Sequence, residues 1–250
     1  QAPALLADAL ADFYDQGLPR STPLIMTEYG YSAFSTQAEV DLPGALFNAD
    51  AVGAFLTWGG AVAYLYGYEP SPIYQGPDCD TWGNNTLFLS DEQRRILART
   101  ATYHGAKLLA RRWAGNPNRL HRVYPARVDI DAPDGASPPT AYAVQRPDGL
   151  WAVLLVNKDP QREWTVRPRF VGPEQGALTR LQGPADLYQF SAAQYHWRAN
   201  GEHGRPRRSW PPRHTVLRER APPHVRLPPW SLTVIRSGGP RGQLRQDSPQ

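Results

Sequence analysis

The chain has 250 residues, 41% of them hydrophobic, which is enough to fill the core of one large domain or two small ones. No stretch reaches the roughly 18 consecutive apolar residues of a membrane-spanning helix, and a single cysteine, Cys79, excludes an intrachain disulfide. The formal charge of +4 divides unevenly: residues 1–118 hold 7 basic and 12 acidic groups, net −5, whereas residues 119–250 hold 20 and 11, net +9. Halves of opposite sign suggest two domains with a boundary near residue 118.

Leu5, Leu6, Leu10, Phe13 and Tyr14 recur at helical spacing, and Gly17 followed by Pro19 closes that helix. Pro23-Leu24-Ile25-Met26 is too short for a helix and reads as a buried strand, ending in Thr27-Glu28-Tyr29-Gly30-Tyr31-Ser32. Residues 33–45 read as a polar loop. Residues 46–58 predict a second helix with Phe47, Val52, Phe55 and Leu56 on one side, stopped by Gly59-Gly60. Residues 61–66 form a second short apolar run, followed by Gly67-Tyr68-Glu69-Pro70. After a loop rich in proline, glycine, asparagine and aromatics, Ser90-Asp91-Glu92-Gln93 predicts a third helix. Ser90 fits the N-cap and Gln93 the third position of a capping box, and the helix runs to about Trp113 before Gly115-Asn116-Pro117. Alternating helices and strands imply that the two strands are parallel.

The pattern changes beyond residue 118. Residues 142–144, 151–156, 164–166 and 232–235 are short β-type runs separated by turn signals such as Pro147-Asp148-Gly149. No helical pattern interrupts them, which predicts an antiparallel β-sandwich. Residues 237–250 lack apolar periodicity and read as a disordered tail.

A carboxylate at the C-terminal end of a strand in a β/α unit is where barrel enzymes place catalytic groups. Residues 23–32 resemble the nucleophile strand of retaining glycoside hydrolases with a (β/α)8 barrel, the clan that includes arabinofuranosidases, β-xylosidases and β-glucuronidases. In that clan a Thr-Glu or Ser-Glu pair, followed by an aromatic and a small residue, ends the seventh strand. The resemblance implies that residues 1–118 are the C-terminal part of such a barrel, strands seven and eight with their helices. Residues 119–236 would be its β-sandwich and residues 237–250 the tail. Leu154-Leu155-Val156-Asn157-Lys158 and the closing Leu227-Pro228-Pro229-Trp230-Ser231-Leu232-Thr233-Val234 carry the likeness in the second half.

By that match Glu28 would be the nucleophile; from the residues alone it is equally an ordinary loop glutamate. Retaining hydrolysis needs a second carboxyl group about 5 Å away as proton donor. The clan supplies it as a glutamate after an asparagine, and no Asn-Glu pair occurs in this chain. The chain is therefore read as part of a longer glycosidase, extracellular or periplasmic, whose upstream barrel segment brings the donor. The alternative is a non-catalytic carbohydrate-binding or accessory protein that retains a decayed barrel end.

Glu69 is the rival for the second carboxyl group, against the reading that it binds a sugar hydroxyl or loop backbone. Sugar pockets need flat apolar faces and planar hydrogen-bonding groups, and aromatics crowd both strand ends. Tyr29, Tyr31, Tyr66, Tyr68, Glu69, Trp82 and Asn84 are the candidate substrate-binding residues, and Tyr64 reads as core. Asp78, Cys79 and Asp80 give no recognisable metal spacing, and no cofactor is implied. Residues 188–214 interleave aromatics with histidines and arginines. That composition is open to single-stranded nucleic acid, to a packed sandwich loop, or to a loop lending Tyr195 or Trp197 to the pocket. Without a nucleic-acid signature, carbohydrate remains the expected partner.

Overall fold

The computed structural model describes residues 2–31, 36–73, 86–116, 119–171, 178–179, 182–200, 203–217 and 224–238. It begins with helix α1 (Ala2–Asp15), strand β1 (Leu24–Tyr29), helix α2 (Leu42–Thr57) and strand β2 (Gly60–Leu65). As the alternation implied, β1 and β2 pair in parallel. Helix α2 begins four residues earlier than its apolar pattern indicated. Asp41 caps it, its carboxylate accepting from the Leu42 N–H at 2.8 Å.

Helix α2 is buried on nearly every side because it fills the space between β1–β2 and a larger sheet. Gly53 makes that approach possible: a Cβ there would lie 2.3 Å from the Tyr142 ring. One turn away, buried Asp50 accepts hydrogen bonds from Thr140 Oγ1, from Tyr142 Oη at 2.6 Å and from Lys158 Nζ at 2.7 Å. A helix of the first half is thus fastened to strands of the second by a carboxylate with three donors.

The third helix does not start at Ser90. Strand β3 (Phe88–Ser90) ends there and pairs antiparallel with β4 (Ile96–Arg99). Asp91 drives the turn between them, accepting from the Arg95 N–H and Nε, and Arg94 adopts φ +60°, which no helix continues. Helix α3 (Ala101–Leu108) starts instead at the Thr100 N-cap and widens into a π-helical segment, Leu109–Ala114. The capping-box spacing at Ser90 therefore marks a hairpin turn, in which the Asp91 side chain satisfies the backbone locally.

Among its described residues the second half forms strands and turns without a helix beyond residue 118. Its strands are β5 (Arg122–Tyr124), β6 (Thr140–Gln145), β7 (Leu150–Asn157), β8 (Trp164–Val166), β9 (Phe170–Val171), β10 (Leu178–Thr179) and β11 (Gln182–Phe190). They continue with β12 (Tyr195–Arg198), β13 (Arg205–Ser209), β14 (Arg213–Leu217), β15 (Val225–Leu227) and β16 (Ser231–Gly238). Six of them form one antiparallel sheet in the order β14-β11-β16-β7-β6-β5. Strand β16 runs to Gly238, paired with Leu150, so residues 237 and 238 belong to the sheet and not to a tail; residues 239–250 lie outside the described residues.

Period-two alternation gives this sheet two apolar faces. Ala152, Leu154, Val156, Leu232 and Val234 join α2, α3 and Trp113 in the main core. Leu155 and Ile235 face the opposite way, onto a second cluster with Trp164, Val225 and Leu227 from the β8–β15 pair. Asn157 closes the end of the sheet, donating from Nδ2 to the carbonyls of Arg162, Leu227 and Pro228. The two sequence pieces that carried the likeness in this half are thereby locked to each other.

Candidate active site

Glu28 is the fifth residue of β1, at its C-terminal end. Strict alternation would put its side chain on the same face as Met26. The β1–β2 register prevents that. Met26 pairs with Ala63 and Tyr29 with Leu65, so three steps on β1 match two on β2. One extra residue in a strand is a β-bulge, which re-aims side chains locally. Thr27 and Glu28 are both exposed as a result, while Tyr29 turns back to pack against the main core. Among the described residues no hydrogen bond or ion pair engages the Glu28 carboxylate.

The two strand ends are tied together where the Tyr66 N–H donates to the Tyr29 carbonyl at 2.9 Å. Burial pushes the Tyr29 phenol above its usual range, and the neighbouring Tyr68 adds to the shift. Tyr31 sets its ring edge-to-face on Phe47 of α2, centroids 4.9 Å apart. Tyr66 and Tyr68 project into solvent at the end of β2. Tyr64, read from the sequence as core, is 58% exposed, because α2 covers only one face of the strand pair. Ile25, 56% exposed, and Val62, its partner across the pair, share that open face.

An open groove of about 450 Å³ lies beyond β2, lined by Tyr66, Tyr68, Glu69, Ser71, Glu92 and Arg94. Glu69 is not a free second carboxylate. Its Oε1 accepts from Nη1 of Arg94, across the groove from the β3–β4 turn. The Oγ of Ser71 is buried there without a hydrogen-bond partner among the described residues. The structure thus gathers Tyr66, Tyr68 and Glu69 along one groove, sets Tyr29 beside Tyr68, and holds Tyr31 on α2. Trp82 and Asn84, together with Phe34, Tyr74, Asp78, Cys79, Asp80 and Asn85, lie outside the described residues.

Tyr195 and Trp197 do not reach a pocket. Both are buried in the main core, where the Tyr195 hydroxyl donates to the Val40 carbonyl. Their alternation along β12 turns His196 and Arg198 outward instead. Sequence reasoning missed two features of the site: the bulge that turns out Glu28, and Arg94 as the partner of Glu69. Arg94 was assigned to a helix, and nothing in the residue pattern marks the bulge. Among the described residues, no group of three or more metal-ligating side chains converges.

No family model matches the chain, and no curated protein matches it. Solved structures do. A GH51 arabinofuranosidase from Xanthomonas axonopodis pv. citri superposes with a TM-score of 0.56 at 18% identity, over 92% of this chain and 43% of its own. An α-L-arabinofuranosidase from Thermotoga maritima matches with a TM-score of 0.52 at 13% identity, over 92% and 45%. A GH44 xyloglucanase from Paenibacillus polymyxa gives 0.52 at 16% identity, over 93% and 35%. The chain spans less than half the length of each. At these identities the likeness is one of fold, and at that level the resemblance to glycoside hydrolases read from residues 23–32 holds.

Proposed function

We propose that this chain is the C-terminal portion of a retaining glycoside hydrolase, with β1 and β2 as the last two strands of its (β/α)8 barrel and residues 119–238 as its β-sandwich. Glu28 is the nucleophile. It attacks the anomeric carbon and forms a glycosyl-enzyme ester, which water then hydrolyses. The observation that carries this reading is the Glu28 carboxylate, without a partner among the described residues and turned out by a bulge at the C-terminal end of a parallel strand. Tyr66 and Tyr68 supply flat faces for the sugar ring, and Trp82 and Asn84 complete the binding set. The proton donor comes from barrel residues beyond this chain, which contains no Asn-Glu pair of the kind that supplies it in the clan. The open face of Ile25, Val62 and Tyr64 is then where the remaining strands pack. The substrate is a carbohydrate with glycosidic O-linkages.

The engagement of Glu69 favours the second reading. With Glu69 held by Arg94, the chain on its own would bind sugars without cleaving them.

Azide separates the two. In the longest form in which the protein is made, Glu28→Gly should lose hydrolysis of aryl glycosides by on the order of 10⁴-fold or more. Added azide should restore aglycone release and yield a glycosyl azide of inverted anomeric configuration. Hydrolysis that survives the substitution would remove Glu28 from the mechanism.

A further inference from the structure

The β12–β13 hairpin carries a groove that the proposed active site does not use. Tyr195 and Trp197 point inward from β12, so His196 and Arg198 point out. The register slips at Arg207: His196 pairs with Arg208, and Trp197 with Pro206. Arg207 is the extra residue, and both it and Arg208 are exposed. Across the hairpin Arg198 stands directly opposite Arg205. Like charges directly opposed destabilise a strand pair. Among the described residues no carboxylate pairs with Arg198, Arg205, Arg207 or Arg208.

His196, Arg207, Arg208, Ala192 and Trp210 line this groove, whose volume is about 540 Å³. Trp210 is 59% exposed yet firmly mounted. Its backbone N–H donates to the Gln194 carbonyl at 2.9 Å, and the Arg208 guanidinium lies 4.9 Å over its ring. Arg208 is itself anchored, its Nη1 donating to the carbonyls of Ala192 and Ala193. Arg208 thus positions the indole, while among the described residues no partner takes the donors of Arg207. Ser209 moors the hairpin to β4, donating from Oγ to the Arg99 carbonyl at 2.8 Å.

We propose that this groove binds a uronic acid unit of an acidic polysaccharide. One face of Trp210 stacks on the sugar ring, Arg207 clasps the carboxylate with its guanidinium fork, and His196 supplies a further ring nitrogen. A planar guanidinium with free donors matches a carboxylate in geometry as well as charge. Arg198 and Arg205 extend the positive field along the hairpin for the next acidic unit, and the ligand's charge relieves their mutual repulsion. Single-stranded nucleic acid fits less well, because it uses successive aromatic platforms. Here Tyr188, Phe190, Tyr195 and Trp197 are all buried, which leaves Trp210 alone. The site rests on the hairpin's own residues and not on the role of Glu28.

The test is calorimetric titration of the whole chain, in a Glu28→Gln background so that no hydrolysis intervenes, with oligogalacturonate and with the same oligomer after carboxyl reduction. The acidic oligomer should bind about tenfold or more tightly than the reduced one, as expected for a charge-assisted bidentate contact. Trp210→Ala and Arg207→Gln should each weaken it by roughly tenfold, at unchanged circular dichroism, with Arg207→Lys restoring only part. Equal affinity for the two oligomers, or indifference to both substitutions, would overturn the proposal. So would tighter binding of oligothymidylate that is lost in Trp210→Ala, which would assign the face to single-stranded nucleic acid.

Discussion

The β1–β2 pair and the six-stranded sheet use similar apolar side chains and treat them in opposite ways. Leu154 and Val234 are wholly buried, with α2 and α3 over one face of their sheet and the β8–β15 pair over the other. Ile25 and Val62 are packed from one side only, and more than a third of each remains exposed. The candidate catalytic carboxylate and the exposed tyrosines sit on the open pair, whereas the buried polar network of Asp50 sits where α2 meets the closed sheet. Stability and chemistry thus reside in different parts of the molecule, and substitutions should separate them.

The largest stability effect is expected at Asp50. Asp50→Ala leaves Lys158, Tyr142 and Thr140 without their shared acceptor and should cost roughly 3–5 kcal/mol in denaturant unfolding, the usual range for breaking a buried ion pair. A loss under about 1 kcal/mol would mean that α2 is held to the sheet by apolar packing alone.

His104 should give the next effect, and its sign is set by burial. Its Nε2 bonds Ser209 Oγ at 2.9 Å, and its Nδ1 is buried without a partner among the described residues. The Ser209 proton goes to the Arg99 carbonyl, so His104 Nε2–H is the donor. Burial first, then the positive charges of Arg99 and Lys107, lower its pKa from 6.5 to about 4. The unfolded chain therefore takes up the proton before the folded one does. Stability should be full above pH 6.5 and decline by up to roughly 3 kcal/mol as pH falls to about 4. His104→Gln should flatten that slope in chemical unfolding measured across pH. An unchanged slope would show that the ring is not buried as described.

The smallest effect belongs to the open region. Arg94→Ala removes an exposed ion pair and should change stability by less than about 1 kcal/mol. It should nonetheless alter sugar affinity, because it frees Glu69 at the groove. A large loss of stability would make the β3–β4 turn part of the core.

Much of this division is legible in the residue pattern, for physical reasons. Apolar spacing locates α1, α2, β1 and β2, although in α1 it buries only Leu10 and leaves Leu5 and Phe13 exposed. Strands β7 and β16 show as continuous β-branched and leucine runs because both of their faces are covered. The β12–β13 hairpin is not legible in the same way. Its second strand reads Arg205-Pro206-Arg207-Arg208-Ser209, with hardly an apolar residue, and is extended because β12 and Ser209 hold it. Strand β11 contains Gly183, Pro184 and Asp186, all poor strand formers, and is placed by its two neighbours. The β3–β4 turn shows the reverse failure, a convincing helix start whose aspartate closes a hairpin. At the candidate site, residue types at the strand ends make Glu28 and the tyrosines candidates, but the outward turn of Glu28 comes from register, which no local pattern encodes.

The measurement that tests the central claim most directly is covalent trapping. The longest natural form of the protein would be incubated with a panel of 2-fluoro glycosides, and its intact mass and peptides analysed. The account predicts a mass increase equal to one fluoroglycosyl group, mapped to the peptide containing Glu28, absent in Glu28→Gln, with the reactive probe naming the sugar. A folded protein that gains no adduct from any probe, or gains one at another carboxylate, would contradict it.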